Sequence, residues 1–195
     1  MYKNLHFNIK IYIFILGIVI LLYPGISNWI SRMQQIKAIS EYQKDGEGML
    51  GYIEIPAIDV LLPIYEGTGE KILQKGVGHM EGTSWPIDCE GGHCVLAAHR
   101  GLPSSEMFRN LDQITTGNYF MIYTADGEFV FKVVEIVVAE PEQIEYILPE
   151  EGKVYCTLLT CTPYGINSHR LLVKGCLVDV SNLLPDRSDC AKLYR

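Results

Sequence analysis

The sequence has no excess of positive charge and no basic stripe. Its 195 residues carry 16 Lys and Arg against 23 Asp and Glu, a formal net charge of -7, and the basic residues are dispersed. Nothing here would neutralise a phosphate backbone, which excludes nucleic acid as a partner. No acidic cluster suggests calcium. Cys89, His93 and Cys94 (C-E-G-G-H-C) have metal-like spacing, but no second ligand cluster completes the four ligands of a zinc site. They read instead as a Gly-rich loop with an incidental thiol pair, and neither metal nor cofactor is expected. Internal repeats and low-complexity tracts are also missing, which leaves one ordinary domain plus an appendage. Finally, no clear small-x-small site follows the N-terminal apolar stretch, Gly25-Ile26-Ser27 being the nearest. This argues against a cleaved signal peptide.

What is present begins with that stretch. Lys3 and Lys10 precede the uncharged run Ile11 to Tyr23, and Pro24 to Ile30 extends it, with Trp29 as an interfacial anchor. Residues 1–30 are expected to form an uncleaved signal-anchor, N-terminus inside and the bulk of the chain outside. Residues 31–48 read as a polar helical stalk or linker whose apolar positions Met33, Ile36 and Ile39 form a thin stripe. The folded domain is expected over 49–182, followed by a polar tail over 183–195. A hydrophobic content of 48% is enough for a sizeable core.

Within the domain the pattern is β. Short apolar runs cover Leu50 to Ile55, Ile58 to Ile64, Cys94 to His99, Tyr119 to Thr124, Phe129 to Val138, Val154 to Cys161 and Leu171 to Val180. Asp126-Gly127 between two of them signals a hairpin. Glu70 to Lys75 and Ser105 to Leu111 read as short helices. Seven or eight strands with so little helix imply a closed or nearly closed barrel.

The chemistry concentrates at one turn. Cys161 ends one apolar run and Arg170 opens the next, with Pro163, Gly165, Asn167 and Ser168 as breakers between them. Antiparallel pairing would bring thiol and guanidinium to one rim of the sheet. A thiolate that attacks a carbonyl beside a cation that stabilises the oxyanion is an acyl-transfer arrangement. His99, at the end of V-L-A-A-H, is a candidate acid/base, and Thr160 could orient Arg170 or bind substrate. The rivals read less well. Cys156 and Cys176 lie inside apolar runs as buried small hydrophobes; with 161 opposite 170, position 156 faces 175, so the two are near neighbours with no disulfide expected. Cys190 lies in the polar tail. His79 sits in a G-V-G-H turn, and His169 points away from Arg170 as its strand neighbour. Arg100 and Arg109 read as surface residues or binding aids. The residues alone leave three readings: an acyl-transfer enzyme, a cysteine hydrolase, and a noncatalytic tethered β-barrel that binds partners.

T-L-L-T-C with Arg170 nine residues later resembles the sortase signature. G-Y-I-E-I-P-A-I-D-V-L-L-P-I-Y-E-G-T, G-V-G-H-M-E-G-T-S-W-P, V-L-A-A-H-R-G-L and T-C-T-P-Y-G-I-N-S-H-R-L-L-V-K-G are similar to segments of class C, pilus-building sortases. The resemblance spans roughly residues 50–180. It implies an eight-stranded sortase-type β-barrel and an extracellular transpeptidase held in the cell membrane of a Gram-positive bacterium by a single pass. Such an enzyme cleaves a Leu-Pro-x-Thr-Gly-like sorting signal between Thr and Gly. It then passes the acyl group to an amine: a pilin lysine in class C, or a peptidoglycan precursor in wall-anchoring enzymes. By the same resemblance Cys161 is the nucleophile, His99 the acid/base and Arg170 the oxyanion ligand. Two departures are visible. No Asp-Pro of the class C lid motif occurs, and N-L-L-P-D-R-S-D-C-A-K-L-Y-R carries no second hydrophobic span. Autoinhibition by a lid is therefore not expected.

Overall fold

The fold is seen in a computed structural model that describes residues 2–45, 48–85 and 91–181. An N-terminal helix, α1 (Tyr2–Asp45), precedes eight strands: β1 (Gly51–Ile55), β2 (Val60–Glu66), β3 (Val77–His79), β4 (His93–Ala97), β5 (Tyr119–Thr124), β6 (Gly127–Ala139), β7 (Tyr155–Thr162) and β8 (His169–Ser181). A single short helix, α2 (Glu70–Leu73), joins β2 to β3. The strands close into a mixed barrel in the order β1-β2-β3-β4-β7-β8-β6-β5. The fold class read from the sequence is the one observed.

Alternation of side chains turns one face of each outer strand into the barrel. In β1, Ile53 and Ile55 are fully buried while the alternate residues Tyr52 and Glu54 are not. β4 has no exposed face and is buried at every position, as befits a strand covered on both sides. Phe108, Phe120, Phe129 and Phe131 fill the interior with Ile53, Ile64, Leu96, Leu158 and Leu177. Register shifts at Val130/Phe131 and Val133/Glu135 break the long β6–β8 ladder. Such bulges bend and twist a strand, which helps a sheet close.

Three local outcomes differ from the pattern reading. β3 escapes it because the strand is only V-G-H. A side chain at Gly78 would meet the Gly67 carbonyl at 2.3 Å, so the close backbone approach there admits only glycine. Ser105 to Leu111, read as helix, is a chain of turns with a 3-10 turn at Leu111–Gln113. Ser105 bridges back to Leu102, and Met107 adopts a left-handed φ of 44° that no helix accommodates. Residues 31–45 do not begin a new element but continue α1.

The distal half of α1 docks on the barrel. Gln35 and Ile39 are buried, and Gln35 Nε2 donates to Ser105 Oγ at 3.2 Å. Arg32 pairs with Asp59 at 3.1 Å. Met33 and Ile36 stay exposed, as do Tyr12 to Tyr23. Among the described residues, α1 is the one helix long and apolar enough to cross a membrane.

Candidate active site

Two neighbouring strands, and the chain just past the end of a third, supply the candidate groups. β7 lies between β4, to which it is parallel, and β8, to which it is antiparallel. Cys161 pairs directly with Arg170, and opposed residues in an antiparallel pair share a face with Cβ atoms about 4.5–5.5 Å apart. On the other side β4 ends with Ala97 paired to Leu159, and His99 follows two residues later where the chain leaves the sheet beside the Cys161 end of β7. The thiol therefore occupies the middle strand, with imidazole and guanidinium on either flank. His169 pairs with Thr162 and its ring nitrogen meets Ser168 Oγ at 2.9 Å, so it faces away from that trio.

Each group is held differently. Cys161 is a free thiol, partly exposed. The His99 side chain is 27% exposed and stands with Nε2 3.5 Å from Glu70 Oε1 at the start of α2. That nitrogen is shielded from solvent and makes no hydrogen bond. An imidazole nitrogen that makes no hydrogen bond and has a carboxylate nearby is available to carry a proton. Arg170 spends Nη1 on the carbonyls of Asn167 (3.2 Å) and His169 (3.1 Å). Asn167 has a φ of 60°, within the left-handed region that asparagine tolerates. The other guanidinium N–H groups have no partner among the described residues, which leaves donors for an oxyanion. Thr160 is fully buried, and its hydroxyl donates to the Ala98 carbonyl at 2.8 Å across the β4–β7 seam.

Sequence reading missed two contributors. Arg100, read as a surface residue or binding aid, is only 8% exposed and lies behind the Cys161 strand end. Glu70 approaches His99 from an element 29 positions earlier in the chain (99 − 70), and no local motif announces it. The basic character of Arg100 argued for the surface, and only its contacts with groups distant in sequence reverse that.

Other histidine and cysteine side chains lie elsewhere in the barrel. His93 is buried, with Nε2 2.7 Å from Thr157 Oγ1 and Nδ1 3.0 Å from the Leu148 carbonyl. Burial holds it below the usual histidine range. Its would-be partner Cys89 lies outside the described residues, as does Cys190. Cys94 is fully buried opposite Cys156, and burial pushes its thiol well up. Cys156 faces Gly175 whereas Cys176 faces Tyr155, so the two thiols sit on opposite faces and remain unpaired. A cavity of about 280 Å³ between α1 and the barrel is lined by Trp29, Arg32, Gln35 and Leu61. It contains none of the trio.

The family model described as sortase domain matches residues 53–178. The chain belongs to the sortase family. Sortase D of Bacillus subtilis is 30% identical over 131 residues, which are 67% of this chain and 63% of that protein. Sortase SrtE1 of Streptomyces coelicolor is 33% identical over 148 residues, 69% of this chain and 41% of that one. The chain thus spans less than two thirds of the length of these curated sortases. Among solved structures, sortase C of Streptococcus pneumoniae superposes with a TM-score of 0.68 at 48% identity. It covers 69% of this chain and 72% of its own, and that enzyme's structure bears on catalysis and pilin substrate specificity. Sortase C1 of Streptococcus agalactiae gives 0.67 at 42%, covering 74% and 75%.

Proposed function

We propose that this sortase is a membrane-tethered cysteine transpeptidase that transfers a Leu-Pro-x-Thr-Gly-like sorting signal to an amine. The observation that carries the reading is the pairing of Cys161 with Arg170 on the strand next to His99. In the first step the Cys161 thiolate attacks the Thr carbonyl, and Arg170 donates to the developing oxyanion. The Thr–Gly bond breaks, His99 gives a proton to the leaving amine, and a thioacyl enzyme remains. An incoming amine then attacks the thioester, His99 takes its proton, and the thiolate departs. Thr160, engaged inside the seam, supports this arrangement through Ala98 rather than by touching the peptide.

A pilin lysine is the preferred acceptor. Its support is the 42–48% identity to Streptococcus sortase C enzymes, against 26–33% to curated sortases A, D and E types. The apolar segment of α1 serves as the anchor in the cell membrane of a Gram-positive bacterium, N-terminus inside and barrel outside. Competing a folded pilin domain against a lipid-linked peptidoglycan peptide for the acyl group tests the acceptor. Product on the pilin lysine is expected; exclusive transfer to the wall peptide would reassign the enzyme to surface-protein anchoring. Release to water in the presence of either amine would make it a hydrolase.

A further inference from the structure

The peptide ladder between β4 and β7 stops just short of the thiol. Ala98 N–H still donates to the Leu159 carbonyl at 3.1 Å. Two residues further along, the Cys161 carbonyl would take its bond from the main chain of residue 100 if the ladder went on. The chain has left the sheet by then, and the Arg100 side chain takes its place. Nη1 donates to the Cys161 carbonyl at 3.3 Å and to Thr162 Oγ1 at 3.0 Å. Nε donates to the Arg109 carbonyl at 3.0 Å, and Nη2 pairs with Asp112 at 2.7 Å.

We propose that Arg100 is a positioning residue that sets the spacing of His99 and Cys161. The guanidinium is covalently one residue from the imidazole and hydrogen-bonded to the nucleophile's own carbonyl. Through Arg109 and Asp112 it also holds the far end of the loop that begins at His99. Its planar fork is what allows one side chain to reach acceptors on both the end of β7 and the far end of that loop; a lysine ammonium is a point charge on a flexible stem. A guanidinium this buried is stable there only because its donors are engaged and a carboxylate faces it. Nη1 reaches Thr162 Oγ1, which alternates to the opposite side of β7 from the Cys161 thiol, so the effect on chemistry is indirect. The benefit of letting the main chain leave the sheet early is that His99 is freed from the pleat, while the thiol stays fixed relative to it.

Arg100→Met, Arg100→Lys and Thr162→Val test this. Displacing a reacting group by around an ångström costs on the order of 10²-fold in rate. Arg100→Met is therefore expected to lower kcat by about 10²-fold with KM unchanged. Arg100→Lys should recover part of that loss, and Thr162→Val, which removes one acceptor, should give a smaller fall of the same kind. The inference rests on the transpeptidase reading for kcat alone. A second arm measures alkylation of Cys161 by iodoacetamide against pH, located by peptide mass, and needs no peptide substrate. There the Met variant's pH curve is expected to separate from that of the parent, because the cationic surroundings of the thiol have moved. Superimposable alkylation curves, with kcat per folded molecule unchanged, would overturn the proposal, as would a rise in KM alone. Should the Met variant fail to fold, the same two measurements on Thr162→Val decide it. A parent enzyme that never acylates would refute the transpeptidase reading and still leave Arg100 to be judged by the alkylation curves.

Discussion

The hydroxyl of Thr160 donates to the carbonyl of Ala98 at 2.8 Å, so the residue before the thiol is bonded to the residue before the imidazole. Both partners are buried. Thr160→Val preserves shape but strands the Ala98 carbonyl in a dry seam, a loss of about 1–3 kcal/mol. Urea unfolding should register that cost, and turnover measured on the same preparation should fall with it. A variant as stable and as active as the parent would contradict this role.

Gly175 is required by packing rather than by backbone conformation. It lies on β8 opposite Cys156, and a Cβ there would come within 2.6 Å of Phe120 and 2.9 Å of Phe131. Those two rings are themselves a directly opposed stacked pair, 5.3 Å between centroids. Gly175→Ala is expected to destabilise the barrel by about 1–3 kcal/mol. Trimming the neighbour with Phe120→Leu should make the double variant less unstable than the sum of the singles. Strict additivity in thermal or chemical unfolding would contradict the clash.

How much of this was legible from the residues depends on the range of the signal. The pairing of 161 with 170 follows from two β runs and the breakers between them, which are local. Closure of the barrel follows from the number of strands, although β3 is too short and too glycine-rich to be read as one. The failed helix at Ser105 to Leu111 is a tertiary override: Met107 is turned to a positive φ and buried in the core. Arg100 and Glu70 could not be assigned, because what defines them is contact with segments distant in sequence. Arg100 meets Cys161, 61 positions away. The docking of α1 through Gln35 was equally hidden, since a glutamine on a polar helix carries no sign that it will meet Ser105.

A pH dependence of stability should trace to His79. Its Nδ1 lies 3.1 Å from Glu66, Thr83 Oγ1 lies 3.2 Å from Nε2, and Trp85 packs edge-on. Burial opposes its charge, but the Cys94 sulfur as a neutral hydrogen-bond acceptor and the Glu66 carboxylate outweigh that and raise it to about 9. The folded value lies above the unfolded value of about 6.5, so the native state holds the proton more tightly. The stabilisation is full below about pH 6.5 and is lost as pH rises through about 9. Tm should therefore decline over that window, and less so in Glu66→Gln. Parallel Tm curves for the two proteins would contradict the assignment.

Acylation of Cys161 by a sorting peptide is the decisive test of the transpeptidase reading. The protein is incubated with a Leu-Pro-x-Thr-Gly peptide and its intact mass is measured beside Cys161→Ala and Arg170→Ala. A thioacyl adduct is expected on the parent, none on Cys161→Ala, and slowed formation on Arg170→Ala. A folded parent with reduced Cys161 that forms no adduct with any sorting-motif variant would contradict it.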